Sequence, residues 1–472
     1  MKKKILIGLS VLAMTATGLS ACGGGSNKTG TALAVEKASK MSLEQLAEAS
    51  KKEWEENPNG TMSVVGLTSV LRSVATSVAE KYEWLEYSYD SKTKTSTGNI
   101  SVNNGYKDYQ LITALNTAAD NYFADYALVQ DVRSFATMIE DGITHNFVPS
   151  DFKELGVPAD GELPLYGVHF NKLFWTNTNF EQVTGKKLYN IWQVAGHDAN
   201  GNEAADHPDH LSKVSFQSPT TEQINMSFLI TAYAEENQAR IEAAYQAYYG
   251  KAWQKSGTYL NAGQQWVEEF IANISRFHTS DGTAMKETQL ASDWDAGYVY
   301  YGAFAKMKDA VGNNFTVDLN GDGDKTDENV QIVCDGKTYT YNEASVNAMD
   351  TVKWDWAING FNGFMYCMDS QVVNNAKYPY TACLFARTML EEEVYTTAIY
   401  NKANPGADGK PGNQYGYYYP GQASADFNYA KGDWTKEQHT AKELVEKYDY
   451  LKDVKISTVN NILALVNSNT KA

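Results

Sequence analysis

The sequence predicts an α/β fold in which open, mainly parallel sheets are flanked by helices. Three observations lead to this prediction. Short apolar runs alternate with amphipathic helical stretches, many of the runs end in polar turns, and no apolar run after the N-terminal one approaches membrane-spanning length. An alternation of strands and helices places the strands side by side, connected by right-handed crossovers.

The clearest alternation lies between residues 62 and 131. The pattern predicts a strand over 62–67, a helix through 70–82, a strand over 84–89, a helix from 105 to 115 and a buried strand over 124–131. In such sheets ligands bind beyond the carboxyl ends of the strands. We therefore predict ligand contacts at the polar residues of two strand ends, which are Thr68, Ser69, Gln130 and Asp131.

The N-terminus is typical of an export signal. Three lysines precede a short apolar run, and the run ends in Leu19-Ser20-Ala21-Cys22. This pattern resembles the bacterial lipoprotein signal, which implies cleavage before Cys22 and a diacylglycerol on its thiol. The alternative is an ordinary signal peptide cleaved after Ala21. We expect residues 1–21 to be the signal peptide and residues 22–56 to form a tether and a leading helix, with Ser42 as the helix cap.

Charge and cysteine content exclude several classes of protein. Three of the 40 Lys and Arg lie in the signal, so 37 remain against 57 Asp and Glu, a net charge of −20. Binding to nucleic acid or to an anionic membrane face needs clustered positive charge, so neither is expected. The cysteines after Cys22 are Cys334, Cys367 and Cys383, an odd number without metal-ligand spacing, and they indicate no disulfide framework.

The second half of the chain supplies further candidates for ligand contacts. Strands are predicted over 170–177, 213–218 and 296–302, a polar turn containing Glu222 precedes a helix, and Trp266, Phe270 and Ile274 share another helical face. Aromatic side chains near the predicted loops could stack on a sugar ring, although core packing is their commoner role. The candidate ligand contacts here are Trp175, Asn177, Glu222, Tyr300, Tyr301 and Trp354.

An ordered set of segments resembles the extracellular solute-binding proteins of ABC importers with the type 2 periplasmic-binding-protein fold. The segments are the strand, turn and helix over 64–82, the strand over 124–131, residues 174–178 and 188–192, and a helix start around Asn375-Ala376-Lys377-Tyr378-Pro379. The resemblance implies two lobes joined by a double crossover. The expected lobes are 57–165 with 351–472, and 166–350.

This resemblance implies a receptor rather than an enzyme. It would bind a small polar solute, with a sugar or oligosaccharide as one candidate, in the cleft between the lobes and deliver it to ABC permease subunits. We expect a monomer outside the cell, held to the membrane by its lipid alone and without a cofactor for chemistry. Ferric ion or a polyamine is the alternative solute, and a surface-attached glycan hydrolase is the alternative of another class. The sequence contains no nucleophile elbow, zinc-protease motif or phosphate loop.

One acidic segment predicts a structural calcium site. Oxygen ligands alternate along it and a glycine occupies the sixth position, as at the start of an EF-hand loop. The twelfth position is Asn329 where an acid is expected, so the neighbouring acids would supply that charge; an acidic surface hairpin is the alternative. The proposed ligands are Asp318, Asn320, Asp322, Asp324, Asp327 and Glu328.

Two further groups of side chains have a metal-binding and a simpler interpretation. The loop from His197 to His210 contains three histidines with carboxylates, but its composition favours a solvated loop over a zinc or nickel site. Tyr300-Tyr301 is similar to the tyrosine pair of ferric-binding members of the family, although most such pairs pack in a core.

Overall fold

The computed structural model describes residues 30–195, 207–289, 296–309, 330–334, 337–341, 352–354, 358–401 and 436–469. The predicted signal with Cys22, the predicted calcium loop and the start of the histidine loop with His197 lie outside these residues. Among the described helices, none has both the length and the apolar character needed to cross a bilayer.

The described helices and strands alternate, as the α/β prediction expects. The helices are α1 Gly30–Ala38, α2 Leu43–Glu56, α3 Val70–Lys81, α4 Asp108–Thr117, α5 Val132–Glu140, α6 Phe180–Thr184, α7 Ile224–Thr231, α8 Glu235–Tyr249, α9 Ala262–Asn273, α10 Asp281–Gln289, α11 Pro379–Met389, α12 Glu392–Val394, α13 Lys436–Lys442, α14 Tyr448–Leu451 and α15 Ile456–Asn469. The strands are β1 Met62–Gly66, β2 Tyr87–Asp90, β3 Thr95–Gly98, β4 Ile100–Asn103, β5 Tyr126–Val129, β6 Thr144–His145, β7 Leu165–Asn177, β8 Val214–Gln217, β9 Ile274–His278, β10 Val299–Ala303, β11 Val330–Cys334, β12 Lys337–Tyr341, β13 Val352–Lys353, β14 Gly363–Val373 and β15 Leu444–Val445.

Two long antiparallel strands, β7 and β14, join two groups of parallel strands. The sheet order is β4-β1-β5-β14-β7-β10-β8-β9. β4, β1 and β5 are parallel to one another, and so are β10, β8 and β9. β5 pairs with residues 369–372 of β14, while β10 pairs with residues 172–176 of β7, both antiparallel. The two groups therefore run in opposite directions, and the carboxyl ends of both face the middle of β7 and β14.

Two local predictions differ from the structure. The run over 84–89 was expected in the parallel sheet, but β2 pairs with β3 in a separate two-stranded hairpin, and β4 is the strand beside β1. All four residues of β3 are exposed, so this strand of the hairpin lies at the protein surface. Ile274 was expected in a helix, yet α9 ends at Asn273 and Ile274, in an extended conformation, begins β9. The side chain of Asn273 donates to the carbonyls of Val194 and Leu211.

The N-terminal helices are packed on the fold. Ser42 caps α2 as predicted, since its hydroxyl accepts a hydrogen bond from the backbone of Gln45. Near the other end of α2, the Trp54 ring stacks on Tyr378 with centroids 4.1 Å apart. Glu53 accepts hydrogen bonds from the backbone of Tyr380 and Thr381, and so caps the start of α11.

The C-terminal segment lies across both halves of the sheet. β15 pairs with residues 364 and 365 of β14. Farther along, α15 packs against α9, and Asn469 donates to the carbonyl of Ile274. The C-terminal helix thus lies beside elements of residues 166–350, although the sequence interpretation grouped it with residues 57–165; the predicted lobe boundaries stay predictions.

The carboxyl of Glu53 should make stability depend on pH. Burial raises the pKa of Glu53 to about 7 against the hydrogen bonds that lower it. The folded protein therefore holds this proton more tightly than the unfolded chain, and this contribution to stability is lost as pH rises from about 4.5 to 7. We expect the difference in unfolding free energy between the unchanged protein and Glu53→Gln to shrink by about 2–3 kcal/mol between pH 5 and pH 8.

Urea unfolding at the two pH values measures this difference. Glu55→Gln is the matched control, because Glu55 is exposed on the same helix. A Glu53→Gln difference that stays constant with pH would contradict the prediction.

Candidate functional site

The site is the space between the carboxyl ends of the two strand groups, bounded by the middle of β7 and β14. On the first side, Thr68 and Ser69 follow β1, and Gln130 and Asp131 follow β5. Ser69 is exposed and forms no capping hydrogen bond at the start of α3, whereas the hydroxyl of Thr68 accepts a hydrogen bond from the backbone of Val70. Thr68 and Ser69 remain predicted ligand contacts.

Asp131 connects the two sides of this space. It is fully buried and has a positive φ of 67°, a conformation that costs free energy for a residue other than glycine. One carboxylate oxygen accepts from the hydroxyl of Ser227 on α7, 3.0 Å away, and the other accepts from Arg133 and Ser134. The predicted contact Asp131 is thus engaged by protein donors, and it links the end of β5 to a helix from the second strand group.

Three charged side chains form an ion triad on the second side. The Lys172 ammonium, on β7, lies 3.1 Å from Asp281 and 3.3 Å from Glu222, which follow β9 and β8. Lys172 is 1 % exposed. Burial alone would lower the pKa of Lys172, but the carboxylates of Asp281 and Glu222 outweigh it and raise the pKa above its usual value. The triad carries one net negative charge at the edge of the cleft.

His278 lies at the end of β9 beside this triad. One ring nitrogen lies 3.1 Å from the hydroxyl of Ser215, while Nε2 has no hydrogen-bond partner among the described residues. Burial lowers the pKa of His278 to about 4, against the raising effect of Asp281. The imidazole is therefore neutral at pH 7 and leaves the negative charge of the triad unchanged.

The predicted aromatic contacts of the second strand group lie in the core instead. Trp175 and Tyr300 are paired across β7 and β10, are fully buried, and pack in a small apolar cluster with Trp354. Tyr301 is also fully buried, and its ring stacks on Phe228 at 4.4 Å. No solute can stack on these rings in this arrangement, because their faces are covered by protein.

Tyr300 and Tyr301 do not form a chelating pair. Adjacent residues of a strand point to opposite faces of the sheet. The hydroxyl of Tyr300 accepts a hydrogen bond from Arg276, whereas Tyr301 faces Phe228. The two hydroxyls therefore do not converge on one ion.

Asn177 and the end of the histidine loop have structural contacts. Asn177 donates to the carbonyl of Thr288 and accepts from the backbone of Asn179, so it fixes the end of β7. In the histidine loop, the ring of His207 lies against Tyr248, and Asp209 accepts a hydrogen bond from Tyr189. Among the residues that the structure describes, no group of three His, Cys, Asp or Glu side chains is placed to hold a metal ion.

Sequence reasoning missed Lys172 and Asp281. A signal for Lys172 was present, because a lysine within a long apolar strand needs a buried partner. Asp281 carried no such signal, since the strand before it was not predicted and its first residue, Ile274, was placed in a helix.

The fold of the chain is that of solved binding proteins. The Trichodesmium protein FutA in complex with iron and citrate superposes with a TM-score of 0.50 at 13% identity, covering 88% of this chain and 100% of that one. Iron-bound HitA from Pseudomonas aeruginosa gives 0.51 at 11% identity, covering 87% and 99%. The periplasmic binding protein P5PA gives 0.51 at 10% identity, covering 86% and 100%.

These likenesses concern the fold. They confirm the predicted two-lobed architecture of periplasmic binding proteins over most of the chain. No family model matches the sequence, and no curated protein matches it either.

Removing the lysine of the triad should destabilise the protein strongly. Lys172→Met leaves two carboxylates without their shared cation, so we expect a loss of about 3–5 kcal/mol in unfolding free energy. Lys353→Met is the control, because Lys353 pairs with Glu181 at 2.6 Å while both side chains are more than one-third exposed. Its expected loss is below about 1 kcal/mol. Urea titration of both variants measures these values, and equal losses would contradict the assignment.

Proposed function

We propose that the protein is an extracellular receptor that captures a small polar solute between its two strand groups and delivers it to the permease of an ABC importer. The observation that carries the proposal is the convergence of the strand carboxyl ends on the middle of β7 and β14. A ligand there would contact both strand groups, and closure of the lobes around it would bury it. The similarity in fold to periplasmic binding proteins supports the same function.

Ferric ion is the solute that the comparisons favour over a sugar. Two of the similar structures are named for bound iron, one of them with citrate. The described part of this chain offers no ready metal cluster. We therefore propose ferric ion, offered as its citrate chelate, as the first solute to test.

Thermal unfolding with a panel of solutes tests the receptor function. We expect either ferric citrate or maltose to raise the midpoint, because a ligand at one hundred times its Kd stabilises the folded state by about 2.7 kcal/mol. Glu222→Gln should weaken this effect, whereas the exposed carboxylate variant Glu181→Gln should retain it. A midpoint unchanged by every solute would overturn the receptor proposal for this panel, and sustained sugar release from a polysaccharide would favour the hydrolase.

We propose that Cys22 carries the lipid that holds the receptor at the membrane. Cys22→Ala should move the protein from the membrane fraction to the soluble fraction when the full chain is expressed in a bacterium that processes lipoproteins, because the acyl chains are then absent. Ser26→Ala, four residues farther on, should stay with the membrane. Membrane retention of Cys22→Ala would disprove the anchor.

A further inference from the structure

A second cluster of buried ionisable groups lies on the face of β7 opposite to Lys172. His169 and Lys172 are three positions apart on β7, so their side chains leave the strand on opposite faces. The pairing of β7 with β14 shifts register between Met368 and Asp369, which leaves Gly167 as the extra residue. This bulge turns Tyr166 onto the face of His169, and the two rings meet at 4.5 Å.

Asp369 is the central residue of this cluster. It is completely buried, and neither of its carboxylate oxygens has a hydrogen-bond partner among the described residues. A buried carboxyl group without donors is costly in free energy, and native structures rarely tolerate one without a functional reason. The Cys367 thiol is a weak donor with a single hydrogen, and the carbonyls of Val168 and Met368 compete for that hydrogen, so its lowering effect on the pKa of Asp369 is smaller than the raising effect of burial.

Glu446 brings a second carboxylate to the same place. It follows β15, and one of its oxygens accepts from the backbone of Cys367 at 3.2 Å, while its other oxygen has no partner among the described residues. Burial raises the pKa of Asp369 and of Glu446 well above the usual range, and Asp369 adds to this effect at Glu446. A positively charged group between the two carboxyls would lower both pKa values again.

Both acids line a small chamber that adjoins a larger pocket. The chamber has a volume of ≈ 20 Å³, about the space of one water molecule. The adjoining pocket measures ≈ 620 Å³ and shares Asp160, Tyr166, Glu446 and Tyr448 with the chamber. Its wall also contains Glu162 and Asp449, and the ammonium of its lysine, Lys447, lies 2.9 Å from Glu236.

We call the chamber and the adjoining pocket together the hinge pocket, because β7 and β14, which join the two strand groups, form part of its wall. Its shape and charge define the ligand. The chamber admits a group of about the size of water, and its two carboxylates call for hydrogen-bond donors that carry positive charge. An ammonium group has three such donors, and tyrosine rings attract cations. A sugar hydroxyl would bring no charge, and the described acids, histidines and cysteines do not form a metal cluster.

We propose that the hinge pocket binds an organic amine, with a primary ammonium between Asp369 and Glu446 and the rest of the molecule in the acidic outer pocket. A diamine suits the pocket best, since its second ammonium would reach the carboxylates of Asp160 and Glu162. The hinge pocket and the ion triad lie on opposite faces of β7, so variants in the two groups test amine binding and solute binding separately.

Titration calorimetry with 1,4-diaminobutane tests this site on the soluble protein that starts at Gly23. We expect saturable binding to the unchanged protein and none of 1,4-butanediol, which has a similar length but no charge. Asp369→Asn should weaken diamine binding at least about tenfold, because an amide cannot ionise to pair with the bound ammonium. Unfolding of the free variant, followed in parallel, shows that it is folded.

Two further variants keep the test decisive. Asp160→Asn, an exposed change at the pocket, should weaken the diamine by a smaller factor without affecting folding. Glu222→Gln in the ion triad should leave diamine binding unchanged. The proposal is overturned if no diamine binds, if the diol binds equally well, or if Glu222→Gln removes binding while Asp369→Asn does not. The last result would assign the amine to the cleft and leave the receptor function intact.

Discussion

The antiparallel ladder between β7 and β14 is the constraint on which the rest of the structure depends. On one side of the ladder's centre β14 pairs with β5, and on the other side β7 pairs with β10. The two parallel groups that include β5 and β10 run in opposite directions. Because the carboxyl ends of both groups then face one another, polar side chains from distant parts of the chain meet at this ladder. A change in register here would displace the members of both clusters together.

The same ladder carries buried ionisable residues on each face, at a cost in stability. Lys172 is compensated by two carboxylates on one face, whereas Asp369 on the other has no partner among the described residues. Folds retain such uncompensated groups mainly at functional sites, because packing alone would favour apolar residues there. The cluster around Lys172 is therefore complete within the protein, whereas the cluster around Asp369 is the one proposed to bind a ligand.

The sequence predicted those parts of the fold that depend on neighbouring residues. The strand, turn and helix over 62–81, the cap at Ser42 and the helix that begins at Pro379 follow from local spacing and capping chemistry. The burial of the aromatic residues of β7 and β10 was harder to predict. A strand that is buried on both faces shows no alternation to indicate which side chains reach a cleft. Their burial is decided by helices packed from elsewhere in the chain.

The clusters at the ladder could not be predicted in the same way. Lys172 meets Asp281 across 109 residues, and Cys367 meets Glu446 across 79. Strand register and the bulge at Gly167 bring these groups together, and neither has a signature in the local pattern. The absence of a hydrogen-bond partner for Asp369 among the described residues is likewise a property of the assembled fold, because it depends on which groups the fold places beside the carboxyl.

The position of β15 has a consequence for the order in which the protein can fold. Arg240 donates to the carbonyls of Gly360, Ala441 and Glu443, and β15 then joins the edge of β14, so the central sheet is completed by residues near the end of the chain. A growing chain therefore lacks these contacts until residues 441–445 have been synthesised.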